Sequence, residues 1–463
     1  MFKKNLSVLV FFVLLSSNFF MFPDAKEASD YLKQAQEFVK YKDFTNAENF
    51  FILASEAMPN SGFYSGQLGQ FYYLRTKEHK KAIICYKNAI DKGFHNGWVF
   101  IQCYEAYTKL GQYEDGEEWL KNGISILSNK INDINTKMDA AKKSNDREKF
   151  RKQVVGCYTD LCKLYFTYSD FDSAVKSAEN ALKLSKPDDN ISIAESYSKA
   201  LYYRSLEFLK DKSFINAHKF MQDVVEVVKT DANLTKKMLA EYELLESLFK
   251  KLISNKLKKP EYTHKILMIL ADESNINMEV GGETFQFNEK LYKTHIYHTE
   301  ISAAFTKYFI EAASDGRFGI EYTIEKPGIN VDKAEWTKKT SDKLDTWGLI
   351  PDHKSLTQKY PDYFKDRLQN YDTILIVWTI PEFNNANGRS VMFDVEGIEK
   401  SVKRGYIHIP SNRMTWNGTD LMLHEFFHVI ENMAGISPEH GYYPENRRYF
   451  PEWKGETGND YYF

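Results

Sequence analysis

The chain has no basic excess: 61 Lys and Arg stand against 64 Asp and Glu, for a net charge of −3. Without a cationic surplus to release counterions from phosphates, nucleic acid is excluded as the main partner. Proline and glycine are sparse, 12 and 23 of 463 residues, which excludes collagen-like and linker-dominated chains. Cysteine is scarcer still. Cys85, Cys103, Cys157 and Cys162 all fall on stretches with helical periodicity, where they replace small core residues. The last two are five apart, which is not a metal-knuckle spacing, so free thiols and no disulfide are expected. Past residue 22 no apolar run is long enough to span a bilayer. Aromatics, by contrast, are abundant at 15 %, with 30 Tyr and 33 Phe. A hydrophobic share of 43 % rules out wholesale disorder, and the length predicts two to four domains.

The first residues, Met1-Phe2-Lys3-Lys4-Asn5, are positive, residues 6–22 are almost wholly apolar, and Pro23-Asp24-Ala25 is a polar break. This is the pattern of a secretory signal peptide, or of an uncleaved N-terminal anchor, over residues 1–25. Export to the periplasm, cell surface or medium is expected. No Cys follows the apolar run, which argues against a lipoprotein.

From residue 26 to 255 one pattern recurs. Ala47, Phe51 and Ala54 are followed 35 residues later by Ala82, Tyr86 and Ala89, and then by Gly116, Leu120 and Gly123. Ala174, Ala178 and Ala181 make a fourth copy, and Ala217, Met221 and Val224 a fifth. Small residues at helical spacing let two helices cross closely while an aromatic fills the gap. The pattern resembles the tetratricopeptide repeat, whose stacked helix pairs form a superhelix with a groove. The resemblance implies a peptide or protein partner in that groove. A charged insertion near 129–152 reads as a longer helical hairpin. Phe71-Tyr72-Tyr73 reads as packing between repeats, with groove lining as the alternative.

The periodicity stops at 256–264, which reads as a linker before a second domain at 265–463. There, strands are expected at 265–270, 317–326, 373–380, 390–395 and 406–409. Helices are expected at 288–313, 336–347, 355–368 and 420–434, the last ending at Gly435. The fold class is multidomain: an all-α tetratricopeptide-like superhelix, then an α+β domain with a mixed sheet.

The last helix carries His424-Glu425-Phe426-Phe427-His428. Two histidines four apart share a helix face one turn apart, as a common zinc ion requires. Glu425 beside them can take a proton from a water held by that zinc. Leu421, Leu423, Phe427 and Ile430 can bury the helix's other sides. Eleven histidines in 463 residues make a chance match rare. A strand at 406–409 followed by this helix resembles the zincin metallopeptidases, whose edge strand pairs with an extended substrate. That resemblance implies zinc as cofactor, a protein or peptide substrate and peptide-bond hydrolysis.

The chain departs from the metzincin pattern, with Glu431 and Ala434 where Gly and His would stand. The third zinc ligand is therefore sought in the last 35 residues. His440 is favoured, because a chain turning at Gly435 can run back along the helix to the metal. Glu439, Glu445, Glu452, Glu456 and Asp460 are the alternatives. Glu431, one turn beyond His428, is placed to hydrogen-bond a ligand imidazole, or to be a solvated glutamate. Tyr442 or Tyr443 could donate to a developing oxyanion, and Arg447 or Arg448 could receive a substrate carboxylate or pair with local acids. His295 and His298 read as solvated or capping residues. Two other functions fit the sequence: a binding scaffold with a structural metal, and a zinc amide hydrolase acting on a cell-wall bond.

Overall fold

The computed structural model describes residues 25–186, 193–230, 236–254, 257–280, 283–341, 344–380, 386–396, 398 and 400–433. Residues 1–24 and everything after 433 lie outside the described residues. Contacts divide the chain into two compact units, Met1–Phe150 and Arg151–Phe463.

The described residues between Ala25 and Ile253 are mainly helical. In order the helices are α1 (Ala25–Lys40), α2 (Phe44–Ala57), α3 (Gly62–Phe71), α4 (His79–Asp91), α5 (Gly97–Lys109) and α6 (Tyr113–Ala140). Then come α7 (Ser144–Thr167), α8 (Phe171–Leu184), α9 (Ala194–Lys210), α10 (Phe214–Thr230) and α11 (Lys236–Ile253). Successive helices pack as pairs, α1 on α2, α3 on α4, α5 on α6 and α9 on α10.

The turns between paired helices repeat one geometry. Lys42, Gly111, Ser169 and Lys212 each take a left-handed φ between 59° and 69°. One residue on, the backbone N–H of Asp43, Gln112, Asp170 and Ser213 donates to the carbonyl of Phe38, Tyr107, Tyr165 and Phe208. This is a left-handed helix stop, satisfying a carbonyl that the ending helix would orphan. Asp43 and Asp170 then cap the next helix through Asn46 N–H (3.2 Å) and Ser173 N–H (3.0 Å). In the second repeat Lys77 takes the left-handed place after a π-helical turn at Tyr72–Thr76.

All five small-residue triplets are buried. A Cβ on Gly69 would stand 2.8 Å from the Tyr86 ring, so only glycine lets α3 and α4 cross this closely. Phe71, Tyr72 and Tyr73 are buried, as packing between repeats requires. All four cysteines are free thiols. Burial pushes Cys85 up to about 11 and Cys162 up to about 12, so both stay protonated.

The rest of the second unit is built on a five-stranded sheet of order β4-β1-β8-β10-β9. Its strands are β1 (Tyr262–Leu270), β4 (Phe318–Glu325), β8 (Thr373–Trp378), β9 (Asn387–Phe393) and β10 (Val402–Pro410). Four run parallel and β9, at the edge, is antiparallel to β10. Two small sheets flank it. One joins β2 (Glu273–Val280), β3 (Glu283–Lys290) and β5 (Asn330–Val331); the other pairs β6 (Ala334–Ser341) with β7 (Leu344–Pro351). The helices are α12 (Lys293–Ala313), α13 (His353–Lys359), α14 (Pro361–Asn370) and α15 (Ser411–Met433).

Side chains alternate across the main sheet. Ile266, Met268, Val377, Ile407 and Ile409 join the core beneath α12 and α15. That same core takes in Val155, Phe171, Leu206, Met221 and Phe249, so α7 to α11 are packed into one hydrophobic body with the sheet. Leu267, Ile269, Ile376 and Tyr406 face the other way, towards Leu356, Phe364 and Leu368 of α13 and α14. Residues 257–261 are tied down by Lys258 N–H to the Asp315 carbonyl (2.9 Å) and Glu261 N–H to the Arg317 carbonyl (2.8 Å).

Several sequence expectations need correction. The helix at 336–347 is instead the β6–β7 hairpin, and 355–368 divides into α13 and α14. The helix foreseen from 288 begins at Lys293, after the unforeseen β2–β3 hairpin. The last helix begins at Ser411 rather than 420, and Gly418 lies inside it. A Cβ there would stand 2.7 Å from Ser302 Oγ, so this glycine lets α15 lie close on α12.

Candidate metal centre

α15 follows β10 directly and lies on β8, β9, β10 and α12. Its seat on the sheet depends on two glycines. A Cβ at Gly388 of β9 would stand 2.0 Å from the Glu425 carbonyl oxygen, and one at Gly405 of β10 would stand 2.4 Å from Val429 Cγ1. The helix backbone therefore rests on the edge strand at the residue of the motif that would do the proton chemistry. Met422, Leu423, Phe426, Phe427 and Val429 are buried beneath it, and Leu421 and Ile430 are partly buried against the same core. Phe426 packs edge-on to the ring of His264, 5.2 Å between centroids.

On the helix's other side the two histidines meet. His424 and His428 are half-buried, and their Nε2 atoms are 3.0 Å apart with ring planes at 80°. That separation suits a hydrogen bond between the rings or a shared cation. A tetrahedral zinc bonded at ~2.0–2.1 Å would hold two nitrogens about 3.3 Å apart, within a few tenths of what is seen. A Glu425 carboxylate oxygen, one ring nitrogen of His424 and one of His428 lie within 4.8 Å of one another, and Glu425 is only 5 % exposed. Two imidazoles one turn apart on a helix are donors that fit zinc, and the buried Glu425 carboxylate stands beside them, where the base of such a site would be.

The sequence reading is corrected at two points. Residues 406–409 are not an edge strand: β10 lies between β8 and β9, and the edge belongs to β9. His295 and His298 are not solvated, being 3 % and 5 % exposed. His295 Nδ1 accepts from the Tyr292 backbone N–H (3.3 Å), a capping role, and His298 Nε2 pairs with Ser169 Oγ at 2.9 Å. His440 and its alternatives Glu439, Glu445, Glu452, Glu456 and Asp460 lie outside the described residues, as do Tyr442, Tyr443, Arg447 and Arg448. Glu431 is on α15, but its side chain lies outside the description. Sequence reasoning missed Gly388 and Gly405, whose isolated glycines within strands were the available signal.

No protein-family profile matches the chain, and no curated protein matches it. Among solved structures, the helical part is similar to pilF of Pseudomonas aeruginosa at 14 % identity, covering 50 % of this chain and 86 % of that one, TM-score 0.29. It is also similar to YrrB, a TPR protein with an unusual peptide-binding site, at 13 % identity over 46 % and 89 % of the two chains, TM-score 0.28. A third is a thermophilic TPR protein of Thermus thermophilus, at 16 % identity over 47 % and 99 %, TM-score 0.29. The assignment of the helices rests on their own pairing and turns: this is a tetratricopeptide-like repeat array followed by a part with mixed sheets.

Proposed function

We propose that the chain is an exported repeat protein that binds a peptide or protein through its helical array and hydrolyses peptide bonds at the α15 site. The observation that carries the catalytic reading is the approach of the His424 and His428 Nε2 atoms to 3.0 Å with Glu425 in reach. His424 and His428 would hold zinc, with a third ligand from His440 or the acids after it. Zinc bound there supplies Lewis acidity, polarising a carbonyl and acidifying water. Glu425 accepts the proton of the attacking water and returns it to the departing amine. Its burial lowers the local dielectric and strengthens that exchange. β9 ends the sheet among the described residues, and an extended substrate would pair with its outer edge. The charge pattern of residues 1–25 supports export.

The helical array favours a second reading, a binding scaffold whose histidines keep a metal for stability alone. A zinc amide hydrolase acting on a cell-wall bond is a third. Glu425→Gln and His428→Ala separate them. Under the peptidase reading, Glu425→Gln keeps the zinc of the α15 site and loses at least ~100-fold in casein hydrolysis, while His428→Ala loses that zinc. Wild-type protein that binds zinc yet cleaves neither casein nor peptidoglycan fragments supports the scaffold. Cleavage of peptidoglycan alone supports the third reading.

A further inference from the structure

The opposite face of the sheet carries a second set of ligand-type side chains. In the β6–β7 hairpin, Ala334 faces Pro351 and Glu335 faces Ile350 at the open end. Asp352 and His353 follow at once and begin α13. One oxygen of Glu335, one of Asp352 and one ring nitrogen of His353 lie within 4.8 Å of one another. His353 is 6 % exposed, with the rings of Phe393 and Tyr406 at 5.4 and 5.5 Å. Both rings belong to the core on the α13 side of the sheet, away from α15.

His353 Nδ1 is buried without a hydrogen-bond partner. An unsatisfied buried nitrogen is costly, and such an orphan calls for an explanation. An ion pair is the competing account, because Arg389 Nη2 stands 3.3 Å from Glu335 Oε2. That guanidinium offsets one of the two carboxylate charges and leaves His353 Nδ1 unpartnered. Asp352 Oδ1 accepts from Lys354 N–H (3.0 Å) as the helix cap, and a carboxylate has lone pairs to spare beyond that bond.

We propose that Glu335, Asp352 and His353 bind a divalent transition-metal ion, zinc fitting best, which staples the base of the β6–β7 hairpin to the start of α13. Calcium and magnesium favour all-oxygen sites, whereas a mixed imidazole and carboxylate set suits zinc. Ligands ~2.0–2.2 Å from the ion stand roughly 3.3 Å apart, so the half-buried carboxylates close by at most about 1.5 Å. The site is structural and independent of the α15 histidines.

The test is the zinc count of the full-length protein after loading and desalting, wild type beside Asp352→Asn, Glu335→Gln and His428→Ala. Asparagine caps a helix as well as aspartate does, so Asp352→Asn removes the charged ligand and keeps α13, which circular dichroism verifies. Asp352→Asn and Glu335→Gln are each expected to lose one zinc that His428→Ala retains. In the His428→Ala background, added zinc should raise the melting temperature, and Asp352→Asn should abolish that rise. An unchanged zinc count in folded Asp352→Asn and Glu335→Gln overturns the proposal and leaves the Glu335–Arg389 ion pair as the cluster's content. A failed α15 site would show instead as a wild-type count that His428→Ala does not lower.

Discussion

Buried histidines outside the motif help set how the second unit responds to acid. Burial pushes His264 down to about 4, His298 down to about 4 and His295, with help from neighbouring His298, down to about 3. In the unfolded chain each protonates near 6.5. Between those values the unfolded state therefore binds more protons than the folded one. Stability is whole above about pH 6.5 and drains as pH falls towards 4. For His298 alone the loss at pH 5 is about 2 kcal/mol. Replacing it with glutamine, which can still reach for Ser169, removes the titration. The urea midpoints of wild type and His298→Gln at pH 7 and pH 5 measure this directly. The variant should lose less on acidification by that amount, and equal losses would show that His298 is not the source. An i, i+3 histidine pair on a helix reads as solvated or capping; His295 does cap α12, while only the packing of α12 against α9 places the pair indoors.

At the scale of elements, the seat of α15 on β9 is the contact on which the proposed chemistry depends. An alanine at Gly388 would drive its Cβ to 2.0 Å from the Glu425 carbonyl, a backbone atom with no rotamer to escape into. Overpacking of this kind costs roughly 1–3 kcal/mol. Gly388→Ala should therefore lower the melting temperature and weaken zinc binding together, because the helix that moves is the one carrying both histidines. Gly156→Ala is the control: nothing lies within 4 Å of its Cβ position inside α7. That change should stabilise by up to about 1 kcal/mol and leave metal affinity alone. Intact zinc affinity in Gly388→Ala would show that β9 does not position the motif. The same glycines mark where the sequence was legible. The small-residue triplets of the repeats, such as Ala82, Tyr86 and Ala89, are a local pattern, and all are buried as foreseen. Gly388 and Gly418 serve contacts with distant segments, and a glycine met in sequence reads as a turn. The rank of β10 inside the sheet and the meeting of Glu335 with His353 depend on pairings that no short window contains.

For the whole molecule, the hydrophobic core does not respect the change in sequence grammar near residue 256. α12 lies against α9 and α11, with the ring of Phe214 4.9 Å from that of Tyr308, Ser169 bonded to His298, Tyr297 to Glu207, and Lys210 3.6 Å from Glu300. Cut at 257, the C-terminal part would expose the side of α12 that carries Tyr308 and His298, together with the core positions that α7 to α11 fill. At ~25 cal/mol per Å² of apolar surface, losing even a few hundred square ångströms of burial removes stability comparable to that of a typical domain. A fragment of residues 257–463 should therefore be insoluble, whereas residues 151–463 should be soluble and melt in one cooperative transition. Scanning calorimetry of both fragments beside the full chain decides it. A soluble 257–463 fragment melting as the longer one does would mean that the last repeats merely lean on the sheet. If instead only 151–463 folds, the last repeats are structural parts of the unit that holds α15. A ligand held by the last repeats, α7 to α11, would then be linked to the seat of α15 through the hydrophobic core they share.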